Sequence, residues 1–305
     1  MPKKEKEGIA EPVDAGWAES ELGSIELGDK RLRKRLLYVA EDLSSQPEVP
    51  INHASKDWAA TKAAYRLFDH SNVTDKKLFE VHRQRTVERL IGEKVVLAVQ
   101  DTTYLTYEGH DKCDGLGYIG TEQLKGVILH STLMVTPSGL PLGLMTQELS
   151  TRTELKRLND HQRAKLPIEE KESYRWIAAL RETEQYARSE GRTVVTVGDR
   201  ECDIFEFIHE AQALNAYYVV RSSTDRNVIG DDAGKLRELL RERAIAGQVK
   251  LDIPSRDGTK GRTVELDVRF AQVEINVPSN LRNLGYTPIS LWAIMTSERK
   301  VEGQD

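Results

Sequence analysis

Two aspartates stand where a carboxylate can hold a metal ion. Asp101 follows the apolar run VVLAVQ, and Asp199 follows the run TVVTVG. Each run predicts a buried strand, so both carboxylates are expected at strand ends, where the sites of open α/β sheets lie. Facing carboxylates repel each other unless a cation sits between them, and hard oxygen ligands suit Mg²⁺ or Mn²⁺. Such ions activate an attacking water or hydroxyl in phosphodiester transfer.

A purely structural role for the same two residues stays open. An aspartate at the end of a strand often caps the element that follows, so a strand followed by an aspartate is weak support for a metal site. Asp101 and Asp199 are also far apart in the sequence, and only the fold can bring them together.

The apolar pattern divides the chain into four segments. Residues 1–13 predict a disordered tail of mixed charge. Residues 14–94 predict helices with few β-branched runs, residues 95–223 predict the order β-β-β-α-β-α-β, and residues 224–305 predict a β-rich subdomain. Three strands joined by short turns suit an antiparallel meander, whereas strands separated by helices suit parallel crossovers. The fold class expected is therefore α/β, with a mixed five-stranded core that resembles the RNase H-like fold.

Within the helical segment, the spacing of apolar residues predicts which faces are buried. Leu32, Leu36 and Val39 recur at helical intervals, and Asp29 is expected to cap that helix. A second helix is expected to turn Trp58, Ala59, Ala63 and Leu67 inward.

Positive charge is concentrated at the start of the first of these helices. Five of the six residues in the segment KRLRKR at 30–35 are basic, and Lys56, Lys62 and Arg66 extend the same charge along the chain. A charged run of this kind is either a solvated helix face or a surface that contacts DNA phosphates. The net charge of -5 over 305 residues does not exclude DNA, because the distribution of charge matters more than its sum.

Composition bounds the class of protein. Hydrophobic residues make up 39% of the chain, and no stretch approaches the roughly 20 apolar residues that a membrane helix needs. Two cysteines exclude a disulfide scaffold and a four-cysteine zinc site. These features predict a cytoplasmic protein with no membrane partner.

Several short motifs resemble one family. They are QDTT at 100–103, HS at 130–131, GDRECDIFEFI at 198–208 and YYVVRSS at 217–223, preceded in the helical segment by LGDKR at 27–31 and AAYRLF at 63–68. In this order they are similar to the DDE-type bacterial cut-and-paste transposases, in particular to insertion-sequence family four of the transposon-five kind. The resemblance covers roughly residues 14–298.

The resemblance implies roles for individual residues. Asp101 and Asp199 would be the first two acidic ligands of a Mg²⁺ or Mn²⁺ site. The helical segment would bind the transposon end, and the β-rich segment would be an insertion in the catalytic core. Full-length relatives act as dimers on double-stranded DNA of the transposon ends and the target. The DNA-binding residues would be Lys30, Arg31, Arg33, Lys34, Arg35, Lys62, Arg66, Arg200 and Arg221.

The sequence departs from the family at the third carboxylate. The family places a glutamate in the pattern Tyr-x2-Arg-x3-Glu-x6-Lys, which these 305 residues lack. We therefore expect a truncated transposase that hydrolyses phosphodiesters and transfers strands weakly or not at all. Two other functions stay open: a non-catalytic DNA-binding remnant, and another RNase H-like nuclease that recruits Glu201 as its third acid.

Four further residues have structural interpretations. His130 is expected to be a buried, hydrogen-bonded core residue, and Trp292 is expected in the core because it lies in an alternating strand. Asp203 is expected to be a helix N-cap rather than a metal ligand. Cys202 has no histidine at a telling spacing, so it is given no nucleophilic role.

Overall fold

The computed structural model describes residues 16–107, 113–119, 124–152, 166–256 and 258–299, with the single positions 109 and 162. The chain divides into two compact units, the first formed by residues 1–153 and 181–195 and the second by residues 154–180 and 196–305. The predicted tail at 1–13 lies outside the described residues, and the proposed boundaries at 94 and 223 stay predictions.

The first unit begins with helices, as the sequence predicts. They are α1 (Trp17–Leu22), α2 (Lys30–Ser45), α3 (Ile51–Ala54), α4 (Trp58–Phe68) and α5 (Asp75–Arg89). Side chains cap three of the N-termini: Asp29 accepts from Arg31 N–H, Asp57 from Ala60 N–H, and Thr74 from Lys77 N–H. These caps satisfy N–H groups that have no partner within the helix, which fixes where each helix begins.

The apolar faces of these helices share one core. Leu32, Leu36 and Val39 of α2 are buried as predicted, and they cluster with Leu67 of α4 and Val81 of α5. Burying a leucine or valine side chain stabilises the fold by roughly 1.5–3 kcal/mol, so this cluster fixes which face of α2 is left to solvent.

The expected buried face of α4 is right at Leu67, which is fully buried, and wrong at Trp58 and Ala59. Trp58 is 67% exposed and Ala59 is exposed, whereas Thr61, Ala64 and Leu67 are buried. Alanines occur all round this helix, so the pattern of apolar residues is compatible with more than one buried face. The packing of Leu67 into the core selects the face that leaves Trp58 exposed to solvent.

The sheet of the first unit follows the helices. It contains β1 (Val95–Thr106), β2 (Gly117–Tyr118), β3 (Lys125–Val135) and β4 (Pro141–Ser150). Strand β3 pairs antiparallel with β1, β2 and β4, which confirms the predicted meander. Strand β5 (Thr193–Gly198) neighbours β1 in the sheet order and continues into the second unit, where β6 (Tyr217–Val220) follows it.

Helix α5 packs against β4 and joins the helical segment to the sheet. Leu144 N–H donates to His82 Nε2 at 2.8 Å, and the opposite ring nitrogen of His82 bonds Glu21 at 2.6 Å. The Arg89 side chain donates to the Leu142 carbonyl and to Glu21. The helices and strands β1–β4 therefore form one unit by direct contact.

The second unit combines helices with a second sheet. Helix α6 (Tyr174–Ala187) starts in this unit, and α7 (Phe205–Ala213) and α8 (Leu236–Glu242) lie wholly within it. The strands are β7 (Asn227–Ile229), β8 (Gly234–Lys235), β9 (Gly247–Ile253), β10 (Arg262–Ile275) and β11 (Ile289–Glu298). The order is β11-β10-β7-β8, with β9 also paired to β10, and all five strands lie in the segment 224–305.

Trp292 is not a core residue. It is 62% exposed on β11, whereas its neighbour Ala293 is buried with Val273 of β10 in the core of the second unit. On the outer face Trp292 contacts the Phe270 ring, with ring centres 5.6 Å apart. Apolar residues occur on both faces of this sheet, so alternation identifies a strand without identifying its buried face.

No helix in the described part of the chain combines the length and the apolar character that crossing a membrane requires.

Candidate functional site

Helix α2 presents a cationic face to solvent. Because its leucines point into the core, the side chains of Lys30, Arg31, Lys34 and Arg35 are left exposed. Arg31 lies 4.0 Å from Asp29, a contact between exposed groups that is worth little in water. Among the described residues, neither Lys34 nor Arg35 forms an ion pair. Their charges are therefore available to an anionic partner.

Arg33 differs from its neighbours on the same helix. It is half-buried, and its Nη1 donates to the Gly23 carbonyl at 2.9 Å. This bond ties the end of α1 to α2. Arg33 was predicted to bind DNA, a role that stays a prediction, but part of its hydrogen-bonding capacity is used within the fold.

Helix α4 adds aromatic rings to the cationic surface. Trp58, Lys62 and Tyr65 follow one another at i, i+4 and i+7, so they share one exposed face. The Lys62 ammonium lies 5.3 Å from the centre of the Trp58 ring, and the Lys34 ammonium lies 5.7 Å from the Tyr38 ring on α2. Cations next to exposed aromatic rings suit nucleic acid, because phosphates meet the charge and bases stack on the rings.

A groove of about 460 Å³ lies among α2, α3 and α4. Its wall is apolar, and Arg31, Lys34, Arg35 and Lys56 stand around it. Asp42 lies in the same groove, with its carboxylate 4.0 Å from the Lys56 ammonium. The helical segment thus offers a concave surface with an excess of positive charge.

Comparison with known protein families identifies this segment. Residues 14–73 match the family model described as transposase DNA-binding. The match spans α1 to α4 and contains the whole groove. It supports a transposase function for the chain and DNA as the partner of its helical region.

Asp101 lies within a strand rather than at its end. Strand β1 continues to Thr106, and Asp101 pairs in register with Ser131 of β3. The alternation of β1 exposes the Asp101 carboxylate, whereas Gln100 is 2% exposed on the opposite face. The prediction that Asp101 ends its strand is wrong, because the polar residues that follow it also pair with β3.

His130 is buried and hydrogen-bonded, as predicted. It is 2% exposed, and its Nδ1 lies 2.9 Å from Thr102 Oγ1. Its Nε2 lies 3.3 Å from Gln100 Oε1. These bonds join β3 to the face of β1 opposite Asp101.

Asp199 directly follows β5, as predicted. Its carboxylate is exposed, and Oδ1 accepts from Glu201 N–H at 2.8 Å, which caps the 3₁₀ turn Arg200–Cys202. Arg221 lies beside it in the second unit, since Arg221 N–H donates to the Gly198 carbonyl at 3.1 Å. Asp199, Arg200 and Arg221 are therefore neighbours along the paired backbone of this unit, and all three are exposed.

Asp203 is not a helix N-cap. Helix α7 begins at Phe205 with Ile204 as its N-cap residue, and Asp203 instead binds the loop 222–226. Its Oδ2 accepts from Ser223 N–H at 2.8 Å and Thr224 N–H at 2.9 Å, and its Oδ1 pairs with the Arg226 guanidinium. Burial alone would raise the pKa of Asp203, but the Arg226 and backbone hydrogen bonds lower it below the ordinary value of 3.8.

Cys202 lies in the core of the second unit and is fully buried. Burial, with the nearby charges of Asp199 and Asp203, raises the pKa of its thiol far above the ordinary range. The thiolate is the nucleophilic form, so this side chain stays unreactive at neutral pH.

Within the described residues, no group of three or more histidine, cysteine, aspartate or glutamate side chains is arranged to hold a metal ion. Asp101 belongs to the first unit and Asp199 to the second.

The sequence prediction of the DNA surface left out its aromatic residues. Tyr38, Trp58 and Tyr65 are 60%, 67% and 55% exposed. The signal was present, because a lysine stands four residues from an aromatic ring in Lys34–Tyr38 and again in Trp58–Lys62.

Proposed function

We propose that the chain is a DDE-type transposase of the insertion-sequence family four kind, which binds double-stranded DNA at transposon ends through its helical region. The observation that carries this proposal is the match of residues 14–73 to transposase DNA-binding domains, on a segment whose cations are exposed. A positively charged helix face binds DNA mainly through phosphates, which position the protein without reading the sequence.

The same proposal gives the two sheets a role. The antiparallel pairing of β1, β3 and β4, with α6 before β5 and α7 before β6, supports an RNase H-like core. The sheet β7–β11 would then be the insertion of this family. Arg200 and Arg221 would contact phosphates beside Asp199, because both side chains are exposed near the end of β5.

Asp101 and Asp199 would hold Mg²⁺ or Mn²⁺ in this proposal. The two residues suit these cations chemically, because both carboxylates are exposed and supply the hard oxygen ligands that Mg²⁺ and Mn²⁺ prefer. When bound, the ions would supply an activated water or 3′-hydroxyl and stabilise the leaving oxygen. Asp199 can serve as a ligand while it caps the 3₁₀ turn, because Oδ1 accepts from Glu201 N–H and Oδ2 accepts no hydrogen bond among the described residues.

We expect weak turnover. The glutamate pattern of the family is missing from these 305 residues, and two carboxylates hold a pair of divalent cations less firmly than three. A non-catalytic DNA-binding protein is the second candidate, and it shares the exposed cationic surface of α2 and α4.

A cleavage assay on duplexes carrying the DNA that borders the coding gene tests the proposal. Binding is measured by gel shift, and nicking is measured with and without Mg²⁺ or Mn²⁺. Metal-dependent nicking that Asp101→Asn and Asp199→Asn abolish, and that the exposed control Asp69→Asn leaves unchanged, is the expected result.

Other outcomes separate the alternatives. Binding without nicking would favour the non-catalytic DNA-binding protein. Nicking that is lost in Glu201→Gln would favour a nuclease with Glu201 as its third acid. Failure to bind any duplex would overturn the transposase proposal.

A further inference from the structure

The groove among α2, α3 and α4 has two chemically distinct parts. Its interior is lined by aliphatic and alanine side chains, including Val39, Ile51 and Ala63, and its rim carries lysine and arginine. A volume of about 460 Å³ lies in the range of sites that enclose small organic molecules. A surface that binds only phosphates has no need of a concave apolar interior.

Asp42 is the second unusual feature of this groove. It is the acidic residue among the lining side chains, and its side chain is 22% exposed. A carboxylate weakens the attraction of phosphates by the surrounding cations, so its presence works against backbone binding. The amino group of a nucleobase, by contrast, donates well to an aspartate.

We propose that this groove holds a single nucleotide that leaves the base stack of bound DNA. Its base lies against the wall formed by Ala60 and Ala63, and its amino group donates to Asp42. Its phosphates contact Lys34 and Arg35 at the rim. The inference rests on the proposed DNA binding by the helical region, and it adds a specific nucleotide site to it.

Shape and charge together select this occupant. A base edge inside a duplex groove is recessed, so a concave protein surface cannot reach it, whereas an unstacked nucleotide protrudes. Alanine side chains leave a flat wall on which a planar ring can lie. Unstacking costs a few kcal/mol, and contacts of the rim cations with phosphates offset that cost. Thymine has no amino group and offers Asp42 only its ring N3–H, which lies deeper on the base edge, so the site favours cytosine over thymine.

Fluorescence anisotropy on three short duplexes tests the proposal. One carries a single unpaired cytosine, one a single unpaired thymine, and one is fully paired. The full chain is expected to bind the cytosine duplex about tenfold more tightly than the thymine duplex, as the gain of one donor to Asp42 implies. Equal binding to all three duplexes would overturn the groove proposal alone, and no binding to any of them would overturn the DNA-binding function as well.

Two variants with matched controls locate the effect. Ala63→Leu fills the groove, so it is expected to abolish the preference for the cytosine duplex while it keeps the affinity for paired DNA. Ala59→Leu, exposed on the same helix and outside the groove, is expected to keep the preference. An Ala63→Leu protein that still prefers the cytosine duplex would contradict the proposal.

The second variant removes the carboxylate. Asp42→Ala is expected to raise the affinity for the thymine and fully paired duplexes, because a negative charge is lost, and to bring the cytosine-to-thymine ratio close to one. Glu48→Ala removes an exposed carboxylate outside the groove and is expected to keep the ratio. A ratio that Asp42→Ala leaves at the wild-type value would overturn the assignment of Asp42.

Discussion

Two regions of the molecule use arginine and lysine in opposite ways. On α2 and α4 the side chains of Lys34, Arg35 and Lys62 are exposed, and the Lys34 and Lys62 ammonium groups lie beside aromatic rings at the surface. Around the loop 222–226, Arg226 is buried and its guanidinium is paired with Asp203. The first region keeps its charge for a partner, whereas the second uses its charge to fix the backbone.

The difference follows from desolvation. A buried ion pair must replace the water of both charges, and it is favourable when further hydrogen bonds satisfy the remaining oxygens. Asp203 meets this condition, since backbone N–H groups of Ser223 and Thr224 also donate to it. An exposed cation keeps its water until DNA displaces it, so it costs the fold little.

The largest expected effect is on the buried pair. Asp203→Ala leaves Arg226 buried without a counter-charge, and we expect it to lower the free energy of unfolding by about 3–5 kcal/mol in urea denaturation. Asp199→Ala, which loses an exposed cap, is expected to cost about 1 kcal/mol. Equal losses in the two variants would show that the buried carboxylate contributes no more to stability than the exposed one. In Asp203→Ala/Arg226→Met, part of the stability is expected to return, because no unpaired charge remains.

The acid dependence of stability gives a second, smaller effect. The folded pKa of Asp203 lies below 3.8, so its contribution is fully present above the unfolded value and is lost as the pH falls through the folded value. The wild type is therefore expected to lose stability below about pH 4 more steeply than Asp203→Asn, which cannot titrate there. Unfolding in urea at a series of pH values measures both slopes. Parallel curves would show that Asp203 is not the responsible carboxylate.

The exposed region is expected to respond in DNA binding and not in stability. Lys34→Gln/Arg35→Gln removes two phosphate contacts, so the slope of log affinity against log salt is expected to fall by about two. Its free energy of unfolding is expected to change by less than about 0.5 kcal/mol. Lys76→Gln/Lys77→Gln, on α5 beyond the matched segment, is the control and is expected to keep the salt slope. Equal slopes in the two double variants would remove α2 from the DNA surface.

The sequence predicted the first region better than the second for a physical reason. The face of α2 is set by local spacing, so Leu32, Leu36 and Val39 were identified correctly from the pattern. Asp203 acts on a loop about 20 residues further along the chain, and no local pattern encodes that contact. Asp101 was placed at a strand end because a polar run follows it, whereas cross-strand pairing with β3 extends the strand through that run.

The wrong predictions for Trp58 and Trp292 have one cause, because in both elements the apolar pattern is compatible with two different buried faces. The alanines of α4 fit two helix faces, and the apolar residues of β11 occur on both sides of the sheet. In each case the long-range packing of neighbours, Leu67 in α4 and Ala293 in β11, selects the buried face. Trp58 and Trp292 are consequently exposed although both are large and apolar.

Two adjacent residues on α2 test directly whether burial separates the cations that stabilise the fold from those that bind DNA, and the expected effects are the smallest. Arg33 donates to the Gly23 carbonyl, whereas Lys34 forms no hydrogen bond or ion pair among the described residues and lies beside the exposed ring of Tyr38. Arg33→Gln is expected to lower the free energy of unfolding by about 1 kcal/mol, the value of one partly buried hydrogen bond. Lys34→Gln is expected to leave stability unchanged and to reduce the salt slope of DNA binding by about one. If instead Arg33→Gln changed only the salt slope, its charge would belong to the DNA surface, and burial would fail to predict which cations of this helix serve the fold.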